Sequence, residues 1–165
     1  MKKAGDTLYA AECAVAGAGF IVMVVVNIFN VLMRFITSSS FSWAEEISYL
    51  SFNWAVFFGI CVVYRNQGLI AIDVLVNRLP EKAQSVVQTL TFAVVGVTNI
   101  FLVLWGAQLA LNGWVRTTPA LMIPYFWMYI EIPIACFILM LYSFHNCYIC
   151  LRGGKVESAA LQDQV

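Results

Sequence analysis

Four long stretches without a charged side chain, the last of them broken by a single glutamate, dominate this sequence of 165 residues. They lie between Glu12 and Arg34, between Glu46 and Arg65, between Lys82 and Arg116, and from Thr117 to Leu151. Their lengths are 21, 18, 33 and 35 residues, and the one interruption is Glu131 in the fourth. A helix needs about 20 apolar residues to cross a hydrocarbon layer of roughly 30 Å. The pattern therefore predicts an all-α membrane protein with four transmembrane helices.

The composition supports a membrane environment. The chain is 62% hydrophobic and only 11% charged, whereas soluble domains have about 25% charged residues. A soluble fold of this length could not cover so much apolar surface, because surface area falls slowly with mass. We therefore expect membrane lipid as a partner. The formal net charge is zero, so the composition predicts no nucleic-acid partner.

We predict a single integral membrane domain over residues 1–165. A short amphipathic helix that lies in the membrane interface is expected between helices two and three, where apolar residues alternate with polar ones such as Asp73. Pro133 should kink the fourth helix, because it has no N–H for the carbonyl group of Tyr129. The predicted ranges are helices at about 9–35, 42–65, 83–115 and 124–151, the interfacial helix at 69–79 and a disordered tail at 153–165.

The distribution of Lys and Arg predicts the orientation. Seven of the nine lie at the N-terminus, in the second connection or in the tail, whereas Arg34 and Arg116 lie in the other two connections. Positive residues accumulate on the cytoplasmic side of membrane proteins. Both termini are therefore expected in the cytoplasm, with the chain crossing the inner membrane four times.

The first helix carries two further patterns. Asn27, Asn30 and Arg34 share one face near its outer end, and this polar face should point into protein. Small residues in its first half should allow close helix packing. These are Ala14, Gly17 and Ala18.

The start of the second helix combines capping and charge. Ser42 and Glu45 have the spacing of a capping box, with the serine at the cap. Trp43 is placed as an interfacial aromatic residue. We expect Glu46 to form an ion pair with Arg34 across the short connection. Glu46 also begins a semi-polar stripe that continues inward to Asn53.

Two features invite a chemical interpretation. Glu131 is an acid inside an apolar run, but it should lie near the interface, where it can reach water or pair with an Arg. A small proton-coupled exporter that uses Glu131 is the alternative function. Cys147 and Cys150 form one CxxC pair, which is too few ligands for zinc. The sequence predicts no enzyme activity and no catalytic, cofactor-binding or metal-binding residue.

The outer connection carries a family resemblance. Arg34, followed by the segment Phe41–Ile47, resembles the small permease subunit of tripartite ATP-independent periplasmic (TRAP) transporters. The resemblance covers roughly residues 10–150, with two departures: the family often has Arg at the position of Tyr49 and His at that of Leu69. Its other matching segments are Tyr64–Gly68, Ile72–Asp73, Leu79–Pro80 and Pro133.

The resemblance implies a function and partners. Such systems import carboxylates, such as sialic acid or a C4-dicarboxylate, across the bacterial inner membrane with a sodium gradient. A periplasmic substrate-binding protein captures the substrate, and a large membrane subunit binds sodium and moves the substrate. The small subunit would be a scaffold that helps dock the binding protein. It needs no cofactor of its own, because sodium is expected on the large subunit, and bound lipids are compatible with it.

A scaffold also agrees with the residues, because the sequence lacks the broken, Gly-rich helices expected at a transport site. The residues expected to serve assembly or structure are Arg34, Ser42, Trp43, Glu45, Glu46, Asn53, Arg65, Asp73 and Glu131.

Overall fold

The computed structural model describes residues 2–37, 41–66 and 81–151. Four segments in this part of the chain are long and apolar enough to cross a membrane, which confirms the predicted all-α fold with four transmembrane helices. The interfacial helix expected at 69–79, with Asp73, and the tail at 153–165 lie outside the described residues. The helices are α1 (Lys2–Thr37), α2 (Ser42–Arg65), α3 (Glu81–Asn112), α4 (Phe126–Tyr129) and α5 (Glu131–Leu151).

The helices pack in the order α1, α2, α5, α3. One apolar cluster, around Phe58, Cys61 and Ala135, joins α2 to α5. A second, around Tyr64 and Phe92, joins α2, α5 and α3. The helices α1 and α3 therefore lie at the two ends of the arrangement, and the buried core follows the contact between α2 and α5.

Gly19 allows the close approach of α1 to α2. A Cβ atom at this position would lie 2.9 Å from the carbonyl oxygen of Ser51, so a larger residue would push the two helices apart. Ala14, Gly17 and Ala18, which were expected to allow close helix packing, lie on the exposed side of α1, away from this contact. The close approach of the two helices depends on small residues on the face of α1 that α2 covers.

Ser143 connects three helices through hydrogen bonds. Its hydroxyl group accepts a bond from the Tyr64 hydroxyl at 3.1 Å and donates one to the Phe92 carbonyl oxygen at 2.6 Å. The side chain is fully buried. Because a buried polar group without a partner is costly in lipid, this chain of bonds fixes how α2, α5 and α3 meet.

Substituting Ser143→Ala should lower the free energy of unfolding by about 1 kcal/mol, since hydrogen bonds between membrane helices are worth about 0.6 and at most about 1.7 kcal/mol. Reversible unfolding in mixed micelles measures this loss. Ser51→Ala is the control, because it removes a helical hydroxyl outside this chain of bonds. Equal losses in the two variants would contradict the role given to Ser143.

The fourth span is interrupted between α4 and α5, at Ile130. Backbone bonds run from Ile130 N to the Phe126 carbonyl at 2.9 Å and from Ile134 N to the Ile130 carbonyl at 3.4 Å. Between them, the Tyr129 carbonyl has no helical donor, because Pro133 lacks an N–H. The interruption lies where Pro133 was expected to kink the fourth helix, and Phe126–Leu151 still forms one span.

Candidate functional site

The end of the bundle that carries the connection between α3 and α4 is called the outer end, after the predicted orientation. This connection is a compact loop. Thr117 and Pro124 form an antiparallel bridge, and the Tyr125 amide donates to the Arg116 carbonyl oxygen at 2.9 Å. Met122, at its tip, has a φ of 56°, a left-handed conformation that costs free energy in a residue other than glycine. Such a conformation persists only where surrounding contacts hold the loop.

Glu46 supplies those contacts from α2. Its Oε1 atom accepts a hydrogen bond from the Ala120 amide at 2.8 Å, and its Oε2 atom accepts one from the Leu121 amide at 2.9 Å. Hydrogen bonds to a charged acceptor are stronger than those between neutral groups. One carboxylate thus fastens the outer loop to the start of α2.

The predicted ion pair between Arg34 and Glu46 is not formed. Both oxygen atoms of Glu46 bind the outer loop instead, and Arg34 is exposed. The ion pair found within the described residues joins Arg65 to Asp6 at the other end of the bundle. The carboxylate prefers two backbone amides at short distance, because these donors are fixed in direction and need no ordering of a long side chain.

The predicted capping box is also absent. Phe41 is the N-cap residue of α2, its carbonyl oxygen accepts a bond from the Ala44 amide at 3.0 Å, and no side chain caps the helix. The Phe41 amide donates to Asn30 Oδ1 at 3.1 Å, which links the start of α2 to the outer end of α1. We call this contact region the outer corner. Ser42 and Glu45 are exposed, so neither performs the capping predicted for it.

Aromatic packing completes the corner. The Trp43 ring centroid lies 6.0 Å from that of Phe29 and 6.1 Å from that of Phe41. Trp43 remains partly exposed, as expected for an aromatic residue at a membrane interface. Of the predicted polar face of α1, only Asn30 points into protein, whereas Asn27 is exposed and bonds to its own helix.

An open cleft of about 580 Å³ lies beside Glu46, between the start of α2 and the outer loop. Two acids, Glu45 and Glu46, contribute to its wall, together with hydroxyl-bearing and apolar side chains. The cleft is therefore acidic and faces outward. Its lining residues are Ser42, Glu45, Glu46, Tyr49, Thr118, Pro119, Tyr125, Met128 and Tyr129.

Glu131 is the first residue of α5 and is fully buried. Neither carboxylate oxygen has a hydrogen-bond partner in the described part of the chain. Asn53 lies close enough to interact with this carboxyl group, but it does not reach hydrogen-bond geometry. The expectation that Glu131 reaches water or pairs with an Arg was wrong, because α2 covers the position.

A polar cluster at the inner end joins α1, α2 and α5. Arg65 donates to the Gly5 carbonyl oxygen and to Asp6 Oδ1, the latter at 3.1 Å. Its guanidinium carbon lies 4.7 Å from the ring centroid of Tyr9 and 6.0 Å from that of Tyr142. These contacts place a predicted residue, Arg65, at the point where three helices meet.

Glu12 belongs to the same cluster and was missed by the sequence reasoning. It is 1% exposed, and its Oε1 atom accepts a hydrogen bond from the Tyr142 hydroxyl at 2.8 Å. Its other oxygen has no partner within the described residues, and Arg65 is near enough to attract the charge. The available signal was an acid placed inside the first apolar helix, two turns after Gly5.

The cysteine pair lies apart from both sites. Cys147 and Cys150 are free, at the inner end of α5. Across the residues that the structure describes, no group of three or more His, Cys, Asp and Glu side chains could hold a metal ion.

Comparison with known proteins gives a family match. The family model described as "Tripartite ATP-independent periplasmic transporters, DctQ component" matches residues 23–153. A TRAP transporter small permease protein of Haemophilus influenzae is 25% identical over 100 residues, which cover 61% of each chain. A second small permease protein of that organism is 34% identical over 62 residues, which cover 38% of each chain.

A longer relative is also similar. The isethionate TRAP transporter permease protein DctMQ of Oleidesulfovibrio alaskensis is 24% identical over 127 residues. The alignment covers 72% of this chain but 20% of DctMQ. The chain thus spans about three fifths of the first Haemophilus relative and one fifth of DctMQ.

Proposed function

Since the chain belongs to the DctQ family, a component of tripartite ATP-independent periplasmic transporters, we propose that it is the small membrane subunit of such a transporter and acts as a scaffold for a large one. The observation that carries the proposal is the extent of the family match. Residues 23–153 include the whole outer corner, the loop that Glu46 holds, and all of α2 to α5.

Exposed apolar surface supports a membrane partner. On α1, Phe20 and Ile21 are about three-fifths exposed at 59% and 63%, and on α3, Leu104 and Trp105 reach 62% and 69%. The helices α1 and α3 lie at opposite ends of the packing order, so one can face the large subunit while the other faces lipid. In DctMQ, the region similar to this chain is one fifth of a longer permease protein, which supports a large membrane partner for this chain as well.

The finer assignments follow the family resemblance. The proposed driving ion is sodium, and the proposed substrate is a small organic anion such as sialic acid or a C4-dicarboxylate. Isethionate, from the name of DctMQ, is a further candidate anion. A periplasmic substrate-binding protein would approach the outer end. The proposal puts both termini in the cytoplasm of a bacterium, which the distribution of Lys and Arg supports.

Transport assays in liposomes test the scaffold role. We expect no uptake by this chain alone, and sodium-driven uptake of one of the three labelled anions when the large subunit and the binding protein are added. Liposomes with the large subunit and binding protein but without this chain are the control, and they should lose most of the uptake. Sodium-driven uptake by this chain alone would contradict the scaffold role, and proton-driven export by it would favour the exporter.

A further inference from the structure

We infer that α3, on the side that faces away from α5, packs against a transmembrane helix of the large subunit, with Gln108 as the polar contact. This inference rests on the proposed function, because it assigns the interface between the two membrane subunits. We call this surface the free face of α3. Its residues are Thr98, Phe101, Trp105, Gln108 and Asn112.

The residues of the free face have the spacing of a helix–helix seam. They follow one another at intervals of three, four, three and four residues, and all five are exposed. Residues at these intervals lie along one side of a helix and pack against a second helix. Between Val94 and Leu111, the exposed polar side chains of α3 are those of Thr98 and Gln108, and both belong to this seam.

The helix α5 is not the neighbour that this seam requires, because α5 covers another side of α3. A Cβ atom at Gly106 would lie 3.1 Å from the Ile132 side chain and 3.3 Å from that of Pro133. An α-helix turns by about 100° per residue, so Gly106 and Gln108 point in nearly opposite directions. The free face is therefore open to a helix from another protein.

The polarity of Gln108 distinguishes a protein neighbour from lipid. Its side-chain amide is exposed and has no hydrogen-bond partner within the described residues. Gln108 lies about 9 Å along the helix axis from Trp114, which is exposed at the outer end as expected at a membrane interface. A polar group without a partner is costly in the hydrocarbon layer, whereas Gln side chains form hydrogen bonds between membrane helices.

Two large aromatic side chains add contact area beside this amide. The ring centroids of Phe101 and Trp105 lie 6.2 Å apart, and the two side chains are 54% and 69% exposed. Trp is enriched among the residues that contribute most to binding at protein interfaces. Because Trp105 lies one helical turn from Gln108, the rings and the amide form one continuous surface.

The opposite end of the bundle is less suited to a polar protein contact. On α1, the exposed amide of Asn27 donates to the Met23 carbonyl oxygen of its own helix at 2.9 Å. Exposed neighbours such as Ile21 and Val25 are apolar. A large subunit on the free face of α3 therefore leaves this side of α1 to lipid.

The relative DctMQ supports the choice of partner. In DctMQ, the region similar to this chain is one fifth of a single permease protein. This arrangement supports a neighbour from the remainder of the same transporter over a second copy of this chain.

Photocrosslinking in the assembled transporter tests the interface. A photoreactive phenylalanine analogue in place of Trp105 should crosslink the chain to the large subunit, whereas the same analogue in place of Ile21 should not. These positions are similarly exposed, at 69% and 63%, so a difference reports on contact. Crosslinks from position 21 but not 105, or crosslinks from 105 to a second copy of this chain, would overturn this inference alone. Failure of the two subunits to copurify would overturn the proposed function as well.

Substitution of Gln108 measures the polar contact. Gln108→Leu retains the approximate size of the side chain but removes the amide. It should raise the Kd between the two purified subunits in mixed micelles about threefold to fifteenfold, as expected for one hydrogen bond between membrane helices. Unfolding of the chain alone should be unchanged, because Gln108 is exposed. Asn27→Leu is the matched control and should leave the Kd unchanged, and equal increases in Kd for the two variants would contradict the inference.

Discussion

The substitution Arg65→Leu is expected to lower the free energy of unfolding by about 2–4 kcal/mol, the sum of lost charged hydrogen bonds and cation–π contacts. Arg65 bonds to the Gly5 carbonyl and to Asp6, and it stacks over Tyr9. Its loss also leaves Glu12 buried without a nearby positive charge. Reversible unfolding in mixed micelles gives the difference.

Two further variants separate charge from geometry. Arg65→Lys should retain part of the stability, since lysine keeps the charge but neither the fork of donors nor the flat stacking surface. Arg116→Leu is the control, because Arg116 is exposed at the outer end and surface substitutions usually change stability by less than about 0.5 kcal/mol.

A double variant tests whether Arg65 and Glu12 interact. Glu12→Leu alone removes the bond from Tyr142, but in the Arg65→Leu background it also removes an uncompensated buried charge. The double variant should therefore lose less stability than the sum of the two single variants. Strictly additive losses would contradict an electrostatic connection between the two side chains.

The transmembrane helices were predictable because the bilayer imposes a length and a polarity on each one. The ends of α2 were expected at residues 42 and 65, and the structure has Ser42–Arg65. The break before Pro133 had a local cause that the sequence displays, namely a missing N–H. Features set by one residue or by the solvent can thus be predicted without knowledge of the packing.

The polar contacts were not predictable in the same way. Glu46 has Arg34 nearby in sequence, yet its partners are Ala120 and Leu121, 74 and 75 positions away. Which of these donors reaches the carboxylate depends on how α3 returns the chain to the outer end. The burial of Glu12 likewise depends on α5, which supplies Tyr142.

Glu46→Ala is expected to have a large effect on the outer loop, whereas Glu45→Ala is not. The two acids are adjacent in sequence at the start of α2, but only Glu46 binds the outer loop, whereas Glu45 is exposed. Glu46→Ala should release the loop, and exchange of the Ala120 and Leu121 amides with solvent should become about tenfold faster or more. Uptake by the assembled transporter should fall several-fold in the same variant, because the outer loop no longer presents a fixed surface.

Matched substitutions test whether loss of the contact between Glu46 and the outer loop causes the faster amide exchange and the lower uptake. Glu45→Ala removes the same charge one position away and should leave amide exchange in the loop unchanged. Glu46→Gln should be intermediate, since its amide keeps one acceptor oxygen for two backbone donors. If Arg34→Ala reproduced the defect of Glu46→Ala in full, an ion pair between those residues would be the better explanation. A larger defect for Glu45→Ala than for Glu46→Ala would show that the two acids have the opposite roles.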